Sequence, residues 1–320
     1  MSTLSEPLLS GFALDVLQGL SARGQKRISS QYLYDDLGSS LFEAITLLPE
    51  YGLTRADERL LSAHSNDIAS AAGPLGSIAE LGSGSGKKTQ YLLEAARKFS
   101  DKLVYSPIDV SPAALEMCAR EVGDLADVRP ICSDWLEGIT RVSRIRPDGP
   151  LLLLFLGSTI GNLPRNSLPE FLSRINSTLQ PGDFFLLGAD LVKDVDFMLA
   201  AYDDPTGVTA AFNLNLLGRI NRELSADFDL RAFVHEARWN AQDRRIEMHL
   251  MSCREQDVCL GALGTTIHFE PGETIWTESS HKFTESELLA LAESSGFSPV
   301  AAWTDREWPF TEALWEVLPR

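Results

Sequence analysis

An apolar run that breaks directly into alternating glycines constrains this chain more than any other feature. Ser77-Ile78-Ala79-Glu80-Leu81 leads into Gly82-Ser83-Gly84-Ser85-Gly86. A strand followed at once by such glycines must turn sharply, and its bare backbone lets a ligand approach closely at the N-terminus of the next helix. From Lys87 onward the chain reads as that helix, with Leu92, Leu93 and Ala96 on one side. A preceding helix, Ala56 to about Ala72, stops at Gly73-Pro74. A second strand, Leu103 to Ile108, ends at Asp109, and Ser111-Pro112 supplies the N-cap and first-turn proline of another helix. Leu151 to Leu156 is uninterruptedly apolar, as a central parallel strand covered on both faces must be. A helix over about 168–179 closes at Gln180-Pro181-Gly182-Asp183, ahead of a strand from Phe184 to Gly188. Thr284 and Glu287 form a capping box for a helix from Glu285 to Ser295, which Gly296 ends. Alternating strands and helices predict an α/β fold with an open, doubly wound sheet.

Two stretches break this rhythm. Residues 1–58 are aromatic and loop-rich, and residues 195–282 carry short alternating strands such as Arg245 to Met251. The rhythm itself occupies residues 59–194 and 283–320.

Composition removes several classes of function. The net charge of -17 leaves no basic face for a phosphate backbone or an anionic membrane, so neither nucleic acid nor membrane is an expected partner. Residues Met1 to Glu6 lack a basic segment leading into an apolar one, and Leu151 to Leu156 is far too short to span a bilayer. Cys118, Cys132, Cys253 and Cys259 form no CxxC pair, which suits reduced thiols in a cytoplasmic, monomeric protein. His64, His235, His249 and His268 show no metal-ligand spacing, so no metal is expected.

The glycine turn with Asp109 suits any ribose-bearing cofactor, because the carboxylate can accept from both ribose hydroxyls. A P-loop is excluded: Leu81 stands where its first glycine belongs and Lys88 where Ser or Thr belongs. Glu80, two residues before the first glycine, suits a cofactor that carries positive charge and no phosphate. Asp134 in Cys132-Ser133-Asp134-Trp135 can accept from an adenine amino group, and Trp135 can stack on the ring. Together these favour S-adenosylmethionine over NAD; a turn that binds nothing is the plain alternative.

Beyond this point the chain is no longer generic. Phe155 to Leu163 (FLGSTIGNL), Tyr34-Asp35, Leu48-Pro49-Glu50-Tyr51, Ala201-Tyr202-Asp203-Asp204, Asn221-Arg222-Glu223-Leu224 and Thr277-Glu278-Ser279-Ser280 follow in order. This set resembles the ergothioneine-pathway L-histidine Nα-methyltransferases from about residue 28 onward. The broader family includes a fungal enzyme that N-methylates a prenylated tryptophan. The resemblance implies a class I S-adenosylmethionine-dependent methyltransferase, Rossmann-like, in which residues 1–58 and 195–282 join into an α+β substrate subdomain. It implies trimethylation of the α-amino group of L-histidine to hercynine, the first step of ergothioneine biosynthesis. Gly82, Lys88 and Asp109 are then expected at the methionine and ribose parts of the cofactor, and Asp134 with Trp135 at the adenine. Tyr51, Asn162 and Tyr202 are expected to hold the amino acid by its carboxylate end. Glu278, Ser279 and Ser280 are expected at the imidazole with Met248 beside them, and Tyr34 and Gly161 near the amine.

The residue types suit these roles. Neutral amide and phenol donors bind a carboxylate without setting a positive charge beside the amine. A carboxylate accepts strongly from an imidazole N–H, and a site built around it rejects analogues that lack the donor. Read without the resemblance, Glu278 is a solvated side chain, Met248 core filler, Asn162 a cap, Lys88 a solvated lysine, and Tyr51 and Tyr202 edge aromatics. Two positions depart from the family pattern: Gly52 stands where a second aromatic is common, and His281 where a small or thiol residue is expected. The expected chemistry is in-line attack of the neutral amine on the sulfonium methyl, ending when no lone pair remains; Tyr34, through water, is the candidate base. The rivals are the same reaction on tryptophan, a nicotinamide-dependent dehydrogenase, and an idle binding protein.

Overall fold

A computed structural model of the chain describes residues 11–100 and 102–319; Met1 to Glu6, read above for a targeting signal, lie outside them. The described residues fall into two compact units. One comprises Gly52–Lys193 and His281 onward; the other comprises the residues through Tyr51 and Asp194–Ser280. The seam expected at 58/59 lies instead at 51/52, because residues 52–58 already belong to the helix Gly52–Ala72. Asp57, Leu60 and Leu61 share its buried face at helical spacing, and a helix docked on one face does not divide between two cores.

The larger unit is built on a sheet whose strands lie in the order Phe297–Asp305, Phe310–Val317, Phe184–Asp190, Leu151–Phe155, Ser77–Leu81, Val104–Asp109 and Asp127–Val128. The short strand Ile131–Cys132 also pairs with Val104–Asp109. Pairings from Phe184–Asp190 to Asp127–Val128 are parallel, and Phe310–Val317 runs antiparallel to its neighbours on either side. Numbered in chain order among those seven, leaving out Ile131–Cys132, the strand order is sixth, seventh, fifth, fourth, first, second, third. This is the class I methyltransferase sheet.

Alternation of side chains explains why Leu151 to Leu156 reads as wholly apolar. Leu151, Leu153 and Phe155 pack with Ile139, Leu172, Ile175, Leu288 and Ala292 on one face of the sheet. Leu152, Leu154 and Leu156 pack with Leu61, Ile68, Leu92, Leu93 and Val122 on the other. Both faces are covered by helices, so neither parity of the strand can be polar. The order reverses between Ser77–Leu81 and Leu151–Phe155, which places a crevice beyond their carboxyl ends. The glycine turn and Gly157 both lie at that edge. The helix after the turn is Thr89–Ala96, later than expected; Lys87 and Lys88 still belong to the turn.

The smaller unit has a sheet ordered Lys26–Arg27, Thr274–His281, Arg245–Ser252, Phe233–Asn240, with the hairpin Gln256–Leu260 and Thr265–Phe269 beside it. Its N-terminal part is not loop-rich as expected, since it carries the helices Gly11–Leu20 and Asp36–Thr46. The second starts where it does because Asp35 caps it, accepting from the Gly38 N–H at 2.8 Å. The helices Val195–Tyr202 and Val208–Leu224 complete the unit.

Candidate active site

In the larger unit the cofactor candidates gather at the sheet's switch point. Gly82 and Gly84 adopt left-handed φ of 69° and 51°, and a Cβ on Gly84 would meet nothing within 4 Å. Gly86, also left-handed at φ 74°, is glycine for a second reason: a Cβ there would lie 2.6 Å from the Cys118 sulfur. Asp109 is held by backbone N–H groups, from Gly84 at 3.2 Å and Ser111 at 2.9 Å. Asp134 caps the helix Trp135–Ile145, accepting from Glu137 N–H at 3.0 Å. The Trp135 indole nitrogen lies 3.5 Å from where a Gly82 Cβ would be, while its ring meets Phe155 edge-on at 5.0 Å.

Beneath the turn the polar groups are buried. Glu80 accepts from Thr89 at 2.6 Å and Tyr105 at 2.5 Å. Burial pushes its carboxyl up to about 7 against the pull of those hydrogen bonds. Lys88 pairs with the fully buried Asp57, and that charge pair keeps the ammonium above its ordinary range despite desolvation. It is therefore not the solvated lysine of the plain reading. The donor set fits the zwitterionic end of S-adenosylmethionine: bare backbone, one lysine, several carboxylates, and no cationic cluster for a pyrophosphate.

Gly161 and Asn162 end the turn Thr159–Asn162 that follows Leu151–Phe155. Ser158 enters that turn at φ 57°, a left-handed conformation that costs a non-glycine residue about 1–2 kcal/mol. The Asp190 N–H donates to its Oγ at 2.9 Å. A Cβ on Gly161 would lie 2.9 Å from the His281 carbonyl oxygen, so the missing side chain makes room for the backbone of His281. His281, the candidate departure, is 1% exposed. The other departure is explained: a Cβ on Gly52 would sit 2.2 Å from the Trp308 ring, so Trp308 fills the space beside Gly52.

In the smaller unit the remaining candidates converge. Tyr34 packs edge-on against Phe42 and Phe212, each at 5.5 Å. Tyr51 lies 6.1 Å from Tyr202, whose hydroxyl donates to Ser280 Oγ at 2.7 Å. Burial first, then the Glu278 carboxylate and the phenols of Tyr51 and Tyr202, push the Tyr34 phenol well above its ordinary range. These four groups therefore share one electrostatic neighbourhood. Glu278 is 8% exposed, which rules out the solvated reading. Strand alternation puts Glu278 and Ser280 on one face and Ser279 on the other, so Ser279 can offer this cluster only its backbone. Met248 is 1% exposed, and its carbonyl accepts from Thr277 at 3.0 Å.

Sequence reasoning missed the groups that hold these residues. The ring nitrogen Nε2 of His235 donates to the Tyr202 carbonyl at 2.7 Å, so Nδ1 accepts from the Asn213 amide at 2.9 Å. Asn213 also donates to the His249 carbonyl at 3.1 Å and accepts from Thr277 at 2.7 Å. Asp35 joins two of the motifs, accepting from Asn215 at 2.7 Å and pairing with Arg222 at 2.5 Å. Against the cost of burial, Asp204 accepts from the Thr206 hydroxyl and from the N–H groups of Thr206, Val208 and Thr209, which together hold its carboxyl far below the usual range. Asp57 and Glu312 were legible in part: the one falls on the apolar stripe of its helix, the other inside an apolar strand. Among the described residues no helix is long and apolar enough to cross a membrane, and no side-chain cluster suits a metal.

Comparison with known proteins agrees with this geometry. Residues 12–317 match the model of a family described as histidine-specific, SAM-dependent methyltransferase. The histidine N-alpha-methyltransferase of Mycobacterium tuberculosis (strain CDC 1551 / Oshkosh) is 42% identical over 304 residues, covering 94% of this chain and 93% of that protein. That of Mycolicibacterium smegmatis is 42% identical over 303 residues, with 94% and 93% covered. Ergothioneine biosynthesis protein 1 of Neurospora crassa is 29% identical over 295 residues, 88% of this chain but 32% of its own length. With its sheet order, its glycine turn and a family match across nearly its whole length, the chain belongs to the SAM-dependent histidine-specific methyltransferases.

Proposed function

We propose that the protein transfers methyl groups from S-adenosylmethionine to the α-amino group of L-histidine, three times in succession, giving hercynine for ergothioneine biosynthesis. The observation that carries the choice of substrate is Glu278, a carboxylate buried beside Tyr34, Tyr51 and Tyr202. A carboxylate accepts strongly from an imidazole N–H, and a site built around one rejects ligands that lack that donor. An indole has a single donor and greater bulk, so tryptophan fits this face less well.

The cofactor supplies an electrophilic methyl group on a sulfonium. In this reading Asp109 accepts from the ribose hydroxyls, Gly82 leaves its backbone open to the methionine portion, Lys88 takes the methionine carboxylate, and Asp134 with Trp135 receives the adenine. Tyr51, Asn162 and Tyr202 hold the histidine carboxylate with neutral donors, leaving the amine free of a nearby positive charge. Ser280 joins Glu278 at the imidazole, with Met248 packed close by and the Ser279 backbone adjoining. Gly161, whose Cβ position is taken up by the His281 backbone, meets the amine with bare backbone as methyl groups accumulate. Tyr34 is poised as a neutral phenol, since its environment disfavours the phenolate; it orients the amine or passes a proton through water rather than acting as a strong base. Alignment and exclusion of water supply most of the acceleration. We read the protein as a cytoplasmic monomer that works without nucleic acid or a membrane.

The test is incubation with S-adenosylmethionine and each amino acid in turn, followed by mass spectrometry. Histidine is expected to gain one, two and then three methyl groups. Methylated tryptophan in place of histidine would support the indole rival, and no methylation despite binding of both ligands would make the protein an idle binder.

A further inference from the structure

Beneath the glycine turn lies a group of carboxylates with too few donors. Asp57 comes from the helix Gly52–Ala72, Glu80 from the strand Ser77–Leu81 and Glu312 from the strand Phe310–Val317; all are buried, and Lys88 is the cation among them. Lys88 and the Gly157 N–H, at 3.1 Å, both address Asp57 Oδ2. Asp57 Oδ1 and both oxygens of Glu312 receive no hydrogen bond from any donor. Glu312 is fully buried, and its Oε1 fills the space that a side chain at Gly188 would need, 2.8 Å from where a Cβ would be. What Glu312 faces in place of a donor is the Asp57 carboxylate. Two carboxylates form a hydrogen bond only when one carries a proton, and unprotonated oxygens left against each other in a dry interior are strongly disfavoured.

We propose that Asp57 and Glu312 act as one carboxyl pair holding a single proton, and that this pair positions Lys88 for the carboxylate of the methyl donor. The inference rests on the proposed contact between Lys88 and the cofactor. With the proton in place the pair carries one negative charge, which Lys88 balances while its remaining donors stay available to a ligand. Losing the proton adds a second negative charge beside Lys88 that competes with the ligand's carboxylate. Burial favours the protonated form of Glu312, as does Asp57, while Lys88 opposes it. The other titratable groups facing the cluster are Glu80 and, beyond it, Tyr105 and Cys118.

Calorimetric titration of the full chain with S-adenosylhomocysteine, from about pH 6 to about pH 9, tests this. Wild-type affinity is expected to fall as pH rises. Glu312→Gln replaces the shared proton with an amide N–H, so it keeps neutral-pH affinity and flattens the profile. Glu80, Tyr105, Cys118 and Lys88 are unchanged in that variant, so the difference between profiles isolates the pair. Asp57→Asn strips Lys88 of its counter-charge and is expected to weaken binding on the order of tenfold, as does Lys88→Ala. An Asp57→Asn protein that binds normally while Lys88→Ala binds weakly would overturn the inference and leave the cofactor contact standing. Normal binding by Lys88→Ala would remove that contact and the inference with it. Should Asp57→Asn fail to fold, the Glu312→Gln profile decides alone: a curve superimposable on wild type overturns the proposal.

Discussion

At the scale of single residues, small side chains here mark where something else already stands. Gly52 has no room for a Cβ, which would sit 2.2 Å from the Trp308 ring, and that ring is pinned by its N–H donating to Asp190 at 2.9 Å. Gly52→Ala should therefore destabilise the protein by about 1–3 kcal/mol through overpacking. Urea denaturation measures this, and an unchanged midpoint would mean that Trp308 moves aside at no cost. Positions were legible where a local pattern carries them, as in Gly82 to Gly86 followed by Asp109, whose carboxylate accepts from the Gly84 N–H. They were illegible where a residue acts through distant partners. Nothing near Tyr202 in the sequence announces Ser280, and nothing near Asp57 announces Glu312; both pairings exist only after the chain has folded.

At the scale of elements, strands and helices of the larger unit were readable because a doubly covered sheet demands continuous apolar runs such as Leu151–Phe155. The helices Gly11–Leu20 and Asp36–Thr46 were missed because a short helix with Tyr and Phe nearby looks like a loop until its cap is recognised. The polar knot of the smaller unit, in which His235, Asn213 and Thr277 tie three strands to the helix Val208–Leu224, was equally hidden. It has a pH signature. Burial holds His235 and His249 below the ordinary 6.5, so the folded protein resists protons that the unfolded chain accepts. Their contribution to stability is complete above that value and is lost as pH falls through and below it. These two side chains work to lower the melting temperature on acidification from about pH 7 to about pH 5.5, against Glu80 and Glu312, whose raised carboxyls take up protons in the folded state. His235→Gln keeps a donor and an acceptor without titrating, so its melting temperature should fall less, or rise more, than that of wild type over this interval. A slope identical to wild type would exclude His235 as a source.

At the scale of the whole molecule, the proposed roles divide with the chain. Every proposed cofactor contact lies in Gly52–Lys193, together with Gly161 and Asn162, while Tyr34, Tyr51, Tyr202, Met248 and Glu278 to Ser280 lie in the smaller unit. The central claim, that Glu278 reads the imidazole, is tested most directly by calorimetry on Glu278→Ala with L-histidine and with S-adenosylhomocysteine. The account predicts that histidine affinity falls by roughly a hundredfold, the scale of losing a charged hydrogen-bond acceptor, while S-adenosylhomocysteine affinity stays near wild type. Equal loss of both, or loss of neither, would contradict it.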